Sequence, residues 1–128
     1  MKPEAVIIED NTILSNMFAR ALQDIHYETR ILADGGEALN WLSDAAPSLV
    51  LLDLHLPNVS GKEILNVIYD DPRFDNTYLV LVTADARMGG DLQDKADFLL
   101  NKPVDIFQLQ RLAERLKGSK TVIRKSLN

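Results

Sequence analysis

Four short apolar runs, each ending abruptly in a polar residue, constrain this chain more than any other feature. Ala5 to Ile8 ends in Glu9 and Asp10, and Leu49 to Leu52 ends in Asp53. Tyr78 to Val82 ends in Thr83, and Phe98 to Leu100 ends near Lys102. The runs are continuous rather than alternating, which is the pattern of strands buried on both faces, as in parallel sheets. Thr29 to Leu32 is a weaker strand candidate, expected nearer an edge.

Helix-like stretches lie between the runs. Ile13, Leu14, Met17, Phe18, Ala21, Leu22 and Ile25 recur at helical spacing and are expected on one buried face. Ala38, Leu39 and Leu42 mark a second helix, and Ile64, Leu65, Val67 and Ile68 a third. Ile106, Leu109, Leu112, Ala113 and Leu116 mark the last, with Asp105 placed to cap it. The fourth helix, within Ala86 to Lys95, holds Gly89 and Gly90, each costing about 1 kcal/mol in a helix interior. It is expected to be short, irregular or mobile. A strand–helix unit repeated five times predicts an α/β fold, a doubly wound five-stranded parallel sheet with helices on both faces.

Composition narrows the function classes. At 128 residues and 46% hydrophobic the chain has enough for one core. Its 14 basic against 19 acidic residues give a net charge of −5, which disfavours direct nucleic-acid binding. The absence of Cys excludes a disulfide scaffold, a Cys-ligated zinc site and a thiol nucleophile. No apolar run approaches the ~20 residues of a membrane span, and Met1-Lys2-Pro3-Glu4 opens no signal-peptide pattern. The expectation is a cytoplasmic protein with no membrane contact. Residues 1–117 read as one domain; 118–128, with Lys120, Arg124, Lys125 and no acid, read as a basic C-terminal tail or linker stub.

In an open parallel sheet the functional crevice lies at the carboxyl ends of the strands. A lone Asp or Thr there is commonly a helix cap, a lone acidic pair a solvated loop and a lone Lys a surface residue. Four converging ends are harder to explain that way. Glu9, Asp10 and Asp53 brought together would repel one another, and a hard divalent cation such as Mg²⁺ would relieve this. An aspartyl carboxylate is a nucleophile toward phosphorus. Lys102 and the Thr83 hydroxyl are suited to stabilise an incoming phosphoryl group.

These residues, in their order and spacing, resemble the receiver domain of bacterial two-component response regulators. The matching pieces are Val6-Ile7-Ile8-Glu9-Asp10, Leu51 to Gly61 around Asp53, Val80-Leu81-Val82-Thr83-Ala84, and Asn101-Lys102-Pro103-Val104. The resemblance covers about residues 5 to 117. It implies a flavodoxin-like fold with strand order 2-1-3-4-5. It implies Asp53 as phosphoacceptor and Mg²⁺ as cofactor, held by Asp10, Asp53, the His55 backbone carbonyl and, through water, Glu9. Thr83 would be the switch hydroxyl, Lys102 its cationic partner, Ala84 the small residue leaving room for the phosphoryl group, and Lys102-Pro103 a cis bond. Pro57 and Gly61 fit the loop after the acceptor. His55 and Asp85 stand where side chains tune water access. The implied activity is acceptance of a phosphoryl group from a kinase phosphohistidine, followed by a switch of a protein-interaction surface. Such a chain catalyses its own aspartyl phosphorylation and dephosphorylation as a signalling domain rather than as a conventional enzyme. The implied partners are a sensor histidine kinase or phosphotransfer protein and an unknown output protein, with homodimerisation open.

The chain departs from that pattern in places. The first acid is Glu9 where Asp is commoner. Leu99 stands three before Lys102, where the family usually has Tyr or Phe; Phe98 is one earlier, and a one-residue slip of the strand would exchange them. The stretch from Thr83 to Lys102 is also short for the family. Three readings are carried forward: a phosphorylated receiver, a receiver-like interaction module independent of phosphorylation, and a flavodoxin-like binding protein or phosphatase-type enzyme. Neither Gly35-Gly36 nor Gly89-Gly90 fits a nucleotide fingerprint.

Overall fold

A computed structural model of the chain describes residues 2–117; the basic tail read at 118–128 lies outside them. The elements run β1 (Glu4–Ile8), α1 (Thr12–Gln23), β2 (Glu28–Leu32), α2 (Gly35–Leu42), β3 (Leu49–Asp53), α3 (Gly61–Asp70), β4 (Tyr78–Thr83), α4 (Ala86–Leu92), β5 (Phe98–Asn101) and α5 (Ile106–Arg115). The five strands form one parallel sheet in the order β2-β1-β3-β4-β5. This is the doubly wound architecture expected from the strand–helix alternation, in the flavodoxin-like strand order that the resemblance implies.

Two hydrophobic cores, one on each face, account for the unbroken apolar runs. Side chains alternate along a strand. Ala5, Ile7, Leu49, Leu51, Val80 and Val82 therefore enter the core shared with α1 and α5. Val6, Ile8, Val50, Leu52, Leu79 and Leu81 enter the core on the opposite face, shared with α2 and α3. Burial on both faces removes the need for polar alternation. β2 reads weakly because it is an edge strand, and its Glu28 and Arg30 remain exposed.

Three residues read as core-facing are not. Ile13 is 73% exposed, Met17 46% and Val67 38%. The buried side of α1 is Ser15, Phe18, Ala19, Ala21 and Leu22, so the inward stripe is rotated away from Ile13 and Met17. Ser15 enters it by returning its hydroxyl to the Thr12 carbonyl at 3.1 Å. α3 buries Ile64, Leu65 and Ile68 and turns Val67 outward.

The fourth helix is short, as its glycines predict: seven residues, followed by a 3₁₀ turn at Gln93–Lys95. Asp105 caps α5, its carboxylate accepting from the Phe107 and Gln108 amides. β5 pairs with β4 in register, Leu81 opposite Leu99 and Thr83 opposite Asn101. No slip brings Phe98 to the α4 side: Phe98 packs on the α1–α5 core and Leu99 on the other.

Candidate functional site

The register of β1, β3 and β4 sets their ends level. Ile8 pairs with Leu52, and Asp53 pairs with Val82, so Glu9, Asp10, Asp53 and Thr83 emerge at one edge of the sheet. Glu9, Asp10 and Asp53 each offer a carboxylate oxygen within 4.8 Å of the others. Glu9 and Asp53 are buried and Asp10 is exposed. β5 delivers Lys102 to the same place. Its Nζ lies 3.0 Å from Glu9 Oε1 and 3.4 Å from Asp53 Oδ2. The Lys102-Pro103 bond is cis, and the Lys102 amide donates to the Thr83 carbonyl at 2.9 Å.

Each acid has distinct local support. Glu9 Oε2 accepts the Asn11 amide at 3.1 Å, while Asn11 caps α1 through the Leu14 amide. Glu9 Oε1 is fully buried and, despite its ion-pair contact with Lys102, receives no hydrogen bond. Asp53 Oδ1 accepts the His55 amide at 3.0 Å. The His55 side chain is exposed and outside the carboxylate cluster.

The electrostatics follow from burial and crowding. Burial raises the Glu9 pKa, and Asp53 pushes it the same way; Lys102 and the Asn11 amide oppose. Burial alone would depress Lys102, but the close contact with the Glu9 carboxylate and the charges of Asp53 and Glu9 outweigh it and raise it. A buried carboxylate oxygen that accepts no hydrogen bond, in a three-acid cluster facing a single ammonium among the described residues, fits a hard, oxygen-loving divalent cation.

Thr83 is fully buried, and its hydroxyl is engaged by its own turn. It accepts the Asp85 amide at 2.9 Å and lies 3.4 Å from the Asp85 carbonyl. Asp85 is exposed and caps α4 through the Met88 amide; Ala84 and Pro103 are exposed at the rim. Glu9, Asp53 and Lys102 are thus joined by direct contacts, with the Asp10 carboxylate within 4.8 Å of the other two acids. Thr83 shares their end of the sheet with its hydroxyl engaged by the Asp85 backbone.

Three supporting features escaped sequence reasoning. A Cβ at Gly89 would stand 2.9 Å from the Thr83 methyl and 3.1 Å from Leu99, so this glycine lets α4 seat on the strand ends. Gly61 lies so close to the Asp53–Leu54 backbone that a Cβ would come within 2.6 Å of the Asp53 carbonyl. Asn58 adopts φ 69 and donates to Asp34 at 2.7 Å. Gly61 and Gly89 stand out in the sequence, but as a loop residue and a helix breaker; for the Asn58–Asp34 bond the only signals are Asn after Pro57 and Asp before Gly35-Gly36, both ordinary turn and cap patterns.

Comparison with known proteins gives a consistent result. Residues 5–115 match the family model described as the response regulator receiver domain. The polar-differentiation response regulator DivK of Brucella anthropi is 30% identical over 121 residues, covering 92% of this chain and 96% of DivK. Among solved structures, the response regulator TrrA of Thermotoga maritima, in complex with Mg²⁺-BeF, superposes with TM-score 0.80 at 26% identity, covering 91% of this chain and 99% of TrrA. A CheY-like receiver domain from Methylobacillus flagellatus shares the fold, with TM-score 0.81 at 24% identity over 91% of this chain and all of that one.

Proposed function

This chain belongs to the response regulator receiver family, and from that membership we propose that Asp53 accepts a phosphoryl group from a phosphohistidine and thereby switches a protein-interaction surface. The observation that carries the reading is the Lys102 ammonium set against both buried acids, 3.0 Å from Glu9 and 3.4 Å from Asp53. One oxygen of Asp53 attacks phosphorus, the P–N bond to the donor imidazole breaks, and the electron pair leaves with that nitrogen. Lys102 meets the charge on the transferred group. Asp10, Asp53 and the His55 carbonyl would hold Mg²⁺, with Glu9 acting through water. When bound, the ion would neutralise charge on the phosphoryl oxygens.

Thr83 is the hydroxyl that trades its Asp85 contact for the phosphoryl group. Its methyl packs beside Gly89 and Leu99, so the movement reaches α4 and β5, and Leu99 takes part in place of an aromatic. Ala84 leaves space at the rim, and His55 and Asp85 tune water access.

The donor is a sensor histidine kinase or a phosphotransfer protein in the cytoplasm. Ile13 and Met17 lie one helical turn apart on α1, and Met17 and Phe107 line a shared groove with α5. These exposed apolar side chains, close in sequence to Glu9-Asp10 and Lys102, offer the donor a seat. Output passes to another protein. No described helix is long and apolar enough to cross a membrane.

The rival reading, a module that binds partners without phosphorylation, draws on Leu99 where an aromatic is usual. Intact mass after incubation with Mg²⁺ and a small-molecule phosphodonor separates the two. A gain of one phosphoryl group in wild type but not in Asp53→Ala supports the receiver. Gain in both sinks Asp53 as acceptor, and no gain with no Mg²⁺ binding favours the module.

A further inference from the structure

The loop between β3 and α3, residues 54–60, carries His55 and so carries part of the expected cation site. Two backbone bonds close its far end: Val59 donates to Pro57 at 2.8 Å and Gly61 to Leu54 at 3.2 Å. Its tip is fixed to a different element. Asn58, exposed and in the left-handed region at φ 69, reaches across to Asp34 Oδ2 at 2.7 Å. The other oxygen of Asp34 caps α2, accepting the Gly36 amide at 2.6 Å and the Glu37 amide at 3.1 Å. Val59 rests on Gly35 so closely that a Cβ there would meet the Val59 carbonyl at 2.4 Å.

These contacts close a ring around the acidic pocket. The Glu9 amide bonds the Leu32 carbonyl at 3.1 Å, and Asp34 follows two residues later. Asp34 holds Asn58, which is in the same loop as His55, and the His55 amide bonds Asp53. We propose that the Asp34–Asn58 pair is a latch that positions the His55 segment and thereby sets the divalent-cation affinity of the pocket. Both are positioning residues, not ligands. This rests on the receiver reading above, because that reading supplies the cation.

The pair can be tested by exchange of its two ends. Asp34→Asn keeps the cap oxygen but removes the charge, and Asn58 can keep a bond only by flipping its amide to accept, so the charge-assisted bond becomes a neutral one. Asn58→Asp sets carboxylate against carboxylate. Each single change is expected to weaken Mg²⁺ binding, read by calorimetry, roughly three- to tenfold, the scale of one ordinary solvent-exposed hydrogen bond. Asn58→Asp is decisive, since an added negative charge alone would tighten Mg²⁺. The double swap restores donor to acceptor at unchanged net charge, and affinity should return to within about twofold of wild type. Hydrogen exchange of the His55 and Leu56 amides, measured without metal, should quicken in both singles and recover in the swap. Unchanged exchange, tighter Mg²⁺ binding in Asn58→Asp, or a folded swap that fails to recover would overturn the latch. Wild-type protein that binds no Mg²⁺ would sink the pocket reading and the cation half of this proposal, while exchange still decides the latch.

Discussion

Lys102 and Glu9 form an ion pair at 3.0 Å across the mouth of the sheet, shorter than the 3.4 Å that separates Lys102 from Asp53. One ammonium thus serves a cluster of three carboxylates, Glu9, Asp10 and Asp53. The unbalanced charge is of the kind that a divalent cation offsets. Lys102→Met should cost about 2–3 kcal/mol in the metal-free protein, because buried carboxylates lose their only close cation among the described residues. Mg²⁺ binds only the folded state and should narrow that deficit. Urea unfolding with and without Mg²⁺ checks this; equal deficits in both would show that ammonium and cation do not share one field.

The raised Glu9 pKa gives a pH dependence of definite sign. Burial is its first cause, with Asp53 adding to it. A carboxyl whose folded pKa exceeds its unfolded one adds stability that is fully present below the unfolded value and lost as pH rises through the folded value. The metal-free protein should therefore shed part of this penalty as pH falls from neutral, above the ordinary 4.5. Mg²⁺ requires the ionised form, so its stabilising effect should shrink over that same descent. Melting curves with and without Mg²⁺ between about pH 8 and 5, beside Glu9→Gln, test it. A Mg²⁺ effect that is flat in wild type would refute the assignment.

The sheet was legible because burial on both faces writes unbroken apolar runs, each stopped by the polar residue at its carboxyl end. The acidic cluster and Lys102 were legible for the same reason, since parallel strands bring their ends together. Helical faces were less so. Ile13 and Met17 have the period of a core stripe yet are exposed, because periodicity gives a stripe but not its rotation against the sheet. The Asn58–Asp34 bond spans 24 residues, and no local pattern records so distant a partner. Periodicity in so short a strand leaves open whether Phe98 or Leu99 faces α4, and register with β4 puts Leu99 there.

Tyr27 should matter to stability and not to the acidic pocket. Its phenol donates to the Ala113 carbonyl at 2.6 Å and ties the start of β2 to α5. Tyr27→Phe should cost about 1 kcal/mol near neutral pH, since Ala113 keeps its backbone bond from Leu116. Mg²⁺ affinity should not change. Burial first, then Glu114 and Tyr78, push the phenol up to about 12. Its contribution is present below 10.0 and lost as pH rises through about 12. Phenolate absorbance, compared with the Phe variant, should reveal one tyrosine ionising that late.

Gly89 and Gly90 look alike in sequence, and the structure separates them. Alanine at either gains helix propensity worth about 0.5–1 kcal/mol. Around Gly90 nothing lies within 4 Å of the added carbon, so Gly90→Ala should stabilise by about that amount. At Gly89 the new carbon would stand 2.9 Å from the Thr83 methyl and 3.1 Å from both Leu99 methyl carbons. Leu99 has rotamers to yield with, but Thr83 is β-branched and held by the Asp85 amide. Overpacking should therefore win, and Gly89→Ala should destabilise by about 1 kcal/mol net. It should also slow phosphoryl uptake at Asp53, because displacing the Thr83 methyl displaces the hydroxyl on the same carbon. Thermal melts of the two variants, with the time course of mass gain from a small-molecule phosphodonor, check both halves. Equal stabilisation and equal uptake would show that α4 does not bear on Thr83.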